Sequence, residues 1–396
     1  MDSKEDELLD REISRIIFEE KKAKIKKLVD QYLKEVIYPF FPNFNYVKPG
    51  DIIQNSHRLL FGAVLDYSYT NDSLADSDYY YAKDDLKFIH YTSISNLLNI
   101  IREKSFRLYS LSSMKADPKE LHFAVNRVLP NVTDKILEQW KNNVFCLSLT
   151  ENEIEGTSDS FELWRNYGEK GKGVGIVVKF SDNNRFNWFN RHLSKVYYGE
   201  ENLLRFQKFV DANFDFFTRV QDPIIGNFQE LILNICCFHK TQIHKTEHEV
   251  RYIETKGGFL DKIYPNENFD SILCEDLPKM FVRLKSHKTT LGNSSDINFD
   301  IKPEIDIKSN GEIVFFSRLY IDRRIMVDKI ETDVSCPHLK KMLIDMIPEI
   351  EIDEIILGHQ YSEKEVEDIK IVINELTNNH LGKAIKVKQT ELKQFF

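Results

Sequence analysis

The segment Lys245-Thr-Glu-His-Glu-Val-Arg-Tyr-Ile-Glu, ending at Glu254, alternates its side-chain character with a period of two, and that period reads as a strand. Side chains two apart on a strand face the same way, so Glu247, Glu249 and Arg251 are expected on one face. His248, Val250 and Tyr252 are expected on the other, the packed one. Such a strand presents a rigid pair of carboxylates beside a guanidinium. The same pattern also describes an exposed face on which an arginine balances two acids. In either case Glu249→Gln is expected to leave folding nearly intact.

Length and composition narrow the classes. A chain of 396 residues can bury a sizeable core and suits two domains or one elaborated domain. Hydrophobic content of 42% and charged content of 30% describe an ordinary soluble globular protein. A net charge of −9 offers no electrostatic case for nonspecific nucleic-acid binding, although it leaves room for a local basic groove. Cys146, Cys236, Cys237, Cys274 and Cys336 form no C-x-x-C pair, so they read as reduced, buried thiols of a cytoplasmic protein. The acidic opening and the lack of any apolar window of membrane length predict neither secretory leader nor membrane span.

Along the chain, residues 4–36 carry mixed charge, with Ile25, Leu28, Val29, Tyr32, Leu33 and Val36 at amphipathic-helix spacing. That helix needs a partner surface, and Pro39 and Pro42 close it. Residues 71–85 read as a loop. Phe88-Ile-His-Tyr starts a strand, Ser93 can cap a helix over 94–103, and Phe106-Arg-Leu-Tyr-Ser-Leu is the next strand. Strand composition recurs at Val144, Gly173 and Leu193, while 202–217 and 223–239 read as helices. Ser309-Asn-Gly is a hairpin signal between the alternating runs 304–308 and 312–320, and 286–300 reads as a loop. Ser362 and Glu365 complete a capping box after the strand Ile352-Asp-Glu-Ile-Ile-Leu-Gly, and 384–387 is the last strand.

Several of these pieces, in this order, resemble the bacterial family catalogued as domain of unknown function 2971. They are the Phe88-Ile-His-Tyr-Thr opening, the Asp117-Pro-Lys-Glu120 turn, Trp164-Arg-Asn-Tyr-Gly168, Gly173-Val-Gly-Ile, the Glu-x-Glu-x-Arg strand and Ile355-Ile-Leu-Gly358. The likeness spans about 87–387 and includes a lysine before the acidic strand, here Lys240 or Lys245. The chain departs from the pattern at Ala116, where the family carries Asn. The opening His-Tyr-Thr strand also looks like that of ADP-ribosyltransferases of the His-Tyr-Glu class. That likeness implies an α+β domain of mixed, mainly antiparallel sheets over 87–396, preceded by a helical extension and loop over 1–86. It implies NAD as cofactor, His90 on a ribose, an aromatic such as Tyr167 or Tyr91 on the nicotinamide, and a late-strand glutamate at the reacting sugar. Thr92, Ser148 and Arg251 join the expected cofactor site: Thr92 follows the His-Tyr pair, Ser148 supports a nicotinamide pocket, and Arg251 either fixes the geometry of Glu247 and Glu249 or pairs with pyrophosphate.

Breaking the nicotinamide bond builds positive charge on the ribose, and a carboxylate on the 2′-hydroxyl stabilises it. Preorganised groups of this kind contribute roughly 2.7–4 kcal/mol each. Glu249 is assigned that role and Glu247 the orienting or deprotonation of the acceptor's nucleophile, with the exchange of the two left open. His90→Ala is then expected to weaken NAD binding. The acceptor is a nucleic acid or a protein, as for a toxin or phage-defence effector. A second class is a Mg²⁺-dependent nuclease built on Asp117, Glu120, Glu247 and Glu249. A third is a non-catalytic defence module that meets a partner protein, or a second copy, through the N-terminal helix. His239, His244 and His248 straddle a predicted helix end and a strand, a spacing that speaks against a metal site.

Overall fold

The structure is a computed structural model, and its described residues are chiefly 30–43, 76–82, 86–113, 120–129, 132–151, 160–181, 191–220, 228–255, 303–307, 313–328 and 347–395. Asp117, Cys274, Cys336, the loop read over 286–300, the Ser309-Asn-Gly turn and most of the N-terminal helix lie outside them.

In chain order the elements are β1 (Lys87–Thr92), α1 (Ile94–Glu103), β2 (Ser105–Ser110), α2 (Glu120–Val128), α3 (Asp134–Lys141), β3 (Val144–Glu151), α4 (Phe161–Asn166), β4 (Val174–Phe180), β5 (Arg191–Lys195), β6 (Tyr197–Tyr198), α5 (Glu200–Val220), α6 (Phe228–Cys236), β7 (His239–Lys240) and β8 (Glu249–Thr255). They continue with β9 (Glu304–Ile307), β10 (Ile313–Tyr320), β11 (Ile350–Leu357), α7 (Glu363–Leu381) and β12 (Lys386–Gln389). Local chemistry sets several boundaries. The Ser93 hydroxyl accepts the Asn96 N–H at the head of α1, and Ser362 and Glu365 form the reciprocal capping box of α7. The runs flanking the Asn-Gly signal pair antiparallel, with Ile307 opposite Ile313.

The main sheet is mixed and mainly antiparallel, in the order β9-β10-β2-β3-β1-β4-β11-β12, so the fold is α+β. β3 is its branch point. One edge of β3 pairs with β8 along its length, and β8 in turn pairs with β5. The other edge is shared: Phe145 and Cys146 meet β2, whereas Thr150 and Glu151 meet β1. β1 and β2 therefore part company alongside residues 147–149.

Helices cover both faces. On one face, Phe88, Leu147, Val250 and Tyr252 pack with α1 and α7. On the other, Ile253 packs with α2, α5, α6 and the N-terminal segment through Tyr32, Val36, Phe41, Phe206 and Ile232. Ile89 and Tyr91 pack there too, under Leu163 and Trp164 of α4. The described end of the N-terminal segment, residues 32–41, thus finds its partner surface within this core.

Two expectations change. The helix expected over 223–239 is shortened, because Ile225–Gly226 pairs with Val64–Leu65 before α6 begins. More consequentially, the acidic strand starts two residues late. Gln242–Glu247 is a 3₁₀ turn capped by His248 in the left-handed region (φ 43°), and β8 begins at Glu249. Glu247 is therefore not on the strand, and His248 is exposed rather than packed. Nor is β8 half-exposed. It lies between β3 and β5 and is buried on both faces, so the exposed-face alternative is excluded.

Candidate functional site

Placing an arginine inside a sheet requires space and counter-charge. Arg251 lies opposite Ser148 on one neighbouring strand and Ser194 on the other, two small residues that leave room for a guanidinium. Its Nε and Nη2 donate to Oε1 and Oε2 of Glu249 at 3.0 and 2.9 Å, a bidentate fork, and Nη1 donates to the Cys237 carbonyl at 2.5 Å. Arg251 is 0% and Glu249 4% exposed at the side chain.

A second cation completes the balance. Tyr198 lies opposite Lys240 in the short parallel pair β6–β7, which lays Lys240 across the head of β8. Lys240 Nζ lies 2.7 Å from Glu249 Oε2 and 2.8 Å from Glu247 Oε2, and its side chain is 9% exposed. The 3₁₀ turn brings Glu247 back toward the strand, and two carboxylates thus share one ammonium. Of the two lysines expected before the strand, Lys240 is the one at the pair, while Lys245 is exposed on the turn. Burial alone would raise the Glu249 carboxyl, but the Arg251 and Lys240 charges outweigh it and hold it at about 2. Glu247 follows the same logic: burial opposes ionisation, and Lys240 and Tyr167 bring its carboxyl below the ordinary value.

Solvent meets the pair at Glu247, whose side chain is 15% exposed. Tyr167 donates to its Oε1 at 2.7 Å, and His244 Nδ1 lies 3.1 Å from the same oxygen. The Trp-x-x-Tyr-Gly motif explains this approach. Trp164 is the buried anchor of α4, Tyr167 ends the helix with 43% of its surface exposed, and Gly168 turns the chain. A Cβ on Gly168 would stand 2.5 Å from the Trp164 ring, so the tight return needs glycine. Burial and the Glu247 charge together raise the Tyr167 hydroxyl above its usual range, which keeps it a proton donor.

A cavity of about 620 Å³ opens beside Glu249. One wall runs from Lys195 through Tyr198 to Asn202, the other is formed by Gln242, Lys245 and His248, and Glu151 also lines it. The Tyr198 hydroxyl accepts the Glu249 backbone N–H at 2.9 Å.

The residues expected to form a cofactor site divide between the two faces of the sheet. Tyr91 lies on the face of the carboxylates, edge-on to Trp164 at 5.1 Å. Ser148 is on that face as well, beside Arg251. His90 and Thr92 face the other way. The His90 ring meets Phe106 edge-on, and Thr92 Oγ1 accepts from Asn96 of α1. His90 Nδ1 is 3.0 Å from the Ser148 carbonyl, in the gap where β1 and β2 separate, and burial lowers its pKa against that hydrogen bond. The three histidines near the strand do not converge either: His239 stacks on Phe206, His244 serves Glu247, and His248 is exposed. Among the described residues no group of three or more His, Cys, Asp or Glu side chains is placed to hold a metal. Asp117 lies outside the described residues, and Glu120 begins α2.

Sequence reasoning did not find Tyr198 or His244 as members of the site. Tyr198 is brought by the parallel pairing of two-residue strands, a contact without sequence periodicity. Comparison of the chain with family models, with curated proteins and with solved structures finds no match in any of the three.

Proposed function

We propose that the chain is an ADP-ribosyltransferase-like enzyme that uses NAD to modify a macromolecular acceptor, with Glu247 and Glu249 as its working carboxylates. The observation that carries this reading is the pairing of these two acids around one ammonium at the head of β8, one buried and one partly open to solvent beside a tyrosine. An oxocarbenium-like transition state needs a fixed negative charge close to the sugar, and a carboxylate held ionised by its surroundings supplies it without reorganisation.

The geometry favours an exchange of the expected roles. Both acids have both oxygens engaged, but Glu249 is 4% exposed and supplies the buried charge, whereas Glu247, 15% exposed, is the carboxylate that a ribose hydroxyl reaches by displacing Tyr167 or His244. Tyr167, exposed and hydrogen-bonded to Glu247, is the aromatic suited to a nicotinamide ring. The cavity on the Glu249 side of the pair, lined by Glu249 and Tyr198 and not by Glu247 or Tyr167, is of the size that small-molecule sites occupy.

The decisive experiment incubates the full chain with labelled NAD and cell extract in EDTA. Release of nicotinamide, or label on a macromolecule, is expected from the wild type and not from Glu247→Gln. Nucleic-acid cleavage that appears only with Mg²⁺ and needs no NAD would replace this reading with the nuclease.

A further inference from the structure

The geometry points to Lys240 as a positioning residue: its ammonium stands between Glu247 and Glu249 where a divalent ion would bridge them, and so fixes the pair for chemistry without a metal. Nζ is within 2.8 Å of an oxygen from each acid. A bridging cation would have to enter the same space, since Mg²⁺ and Ca²⁺ hold carboxylate oxygens at about 2.0–2.6 Å. Charge argues the same way. Two acids face two cations, Arg251 and Lys240, so the charges of these four groups balance. A divalent ion admitted alongside them would stand next to a buried ammonium and be repelled by it, more strongly than in bulk water because the site is screened from solvent. Lys240 cannot easily move aside, because β7 is pinned to β6 and the side chain is nine-tenths buried.

Lys240 is also what allows both acids to stay ionised. Without it, two neighbouring carboxylates would share one guanidinium, and the pair would take up either a proton or a metal ion. Its catalytic consequence rests on the transferase reading, but the cation assignment is independent of the donor substrate.

Calorimetric titration of Mn²⁺ into the full-length chain tests the assignment. The wild type is expected to take up no Mn²⁺ at this pair. Lys240→Met, which keeps most of the apolar stem, is expected to gain Mn²⁺ affinity by at least about tenfold, or roughly 1.4 kcal/mol. Adding Glu247→Gln should remove that gain and, by restoring neutrality, raise the melting temperature above that of Lys240→Met alone. Mn²⁺ uptake by the wild type that disappears in Glu247→Gln would overturn the inference, as would a folded Lys240→Met variant with no gain. Should Lys240→Met fail to fold, the wild type with its Glu247→Gln control decides: uptake lost in the variant overturns the inference, and no uptake upholds it. Nicotinamide release, read in the same samples, separates the two proposals. A chain that excludes Mn²⁺ but leaves NAD intact keeps the role of Lys240 and loses the transferase.

Discussion

A glutamate and an arginine two residues apart on a buried strand hold each other in place, and neither tolerates loss of the other. Contrary to the expectation that Glu249→Gln leaves folding nearly intact, the substitution would leave the Arg251 guanidinium, 0% exposed, without its fork, and breaking a buried pair in this way costs about 3–5 kcal/mol. Urea denaturation near neutral pH should show that loss. The pH dependence has a definite sign. The folded carboxyl is held at about 2 against an ordinary value of 4.5, so its stabilising contribution is complete above the ordinary value and fades as pH falls through that window. The gap between wild type and Glu249→Gln should therefore narrow between about pH 4.5 and pH 2, and a gap that widens would contradict the ion-pair account. Tyr167→Phe behaves differently. Its hydroxyl is at the surface, so stability should move by no more than about 0.5–1 kcal/mol while nicotinamide release falls. The residue pattern made the acids and the arginine legible, because a two-residue period is a property of neighbouring positions. Their burial was not legible, since it comes from β3 and β5, strands whose closing positions lie about 100 and about 50 residues earlier in the chain.

At the scale of elements, the opening strand-helix-strand, the Ser93 cap, the Ser362 capping box and the hairpin pairing were readable because each is written in adjacent residues. The boundary of β8 was not. Alternation continues through Glu247, but His248 adopts a left-handed conformation and the turn before it is 3₁₀, a choice made by tertiary contacts to Lys240 and Tyr167. The branch at β3 was equally hidden, and it changes the meaning of His90. With β1 and β2 diverging, the His90 ring serves the Ser148 carbonyl across the gap, which is a structural task. His90→Ala should leave that part-buried acceptor without its partner and cost about 1 kcal/mol in denaturation experiments. NAD affinity, measured on the same variant, should stay within about twofold of wild type, a difference of roughly 0.4 kcal/mol. A much larger loss of affinity with unchanged stability would return His90 to the cofactor site.

For the whole molecule, the question is whether the chain before residue 87 stands apart from residues 87–396. The core argues that it does not. Tyr32, Leu33, Val36, Ile37 and Phe41 sit in the same apolar cluster as Phe209, Ile232 and Ile253, and the Tyr32 hydroxyl donates to Asn213 at 2.5 Å. A chain of contacts leads from there toward the carboxylates. Phe41 meets Tyr79, the Tyr79 hydroxyl is 3.1 Å from His239 Nε2, and Lys240 is the next residue. Removing residues 1–86 should therefore uncover the apolar surface of α2, α5 and α6 rather than trim an appendage. The 87–396 fragment is expected to bind a hydrophobic dye and to lose its cooperative thermal transition. Within the full chain, Phe41→Ala should cost about 3–5 kcal/mol, as truncation of a buried aromatic does. An 87–396 fragment that melts cooperatively at the full-length temperature would show that the N-terminal segment is a separate unit. In that event the support of Lys240 would have to come from β6 alone.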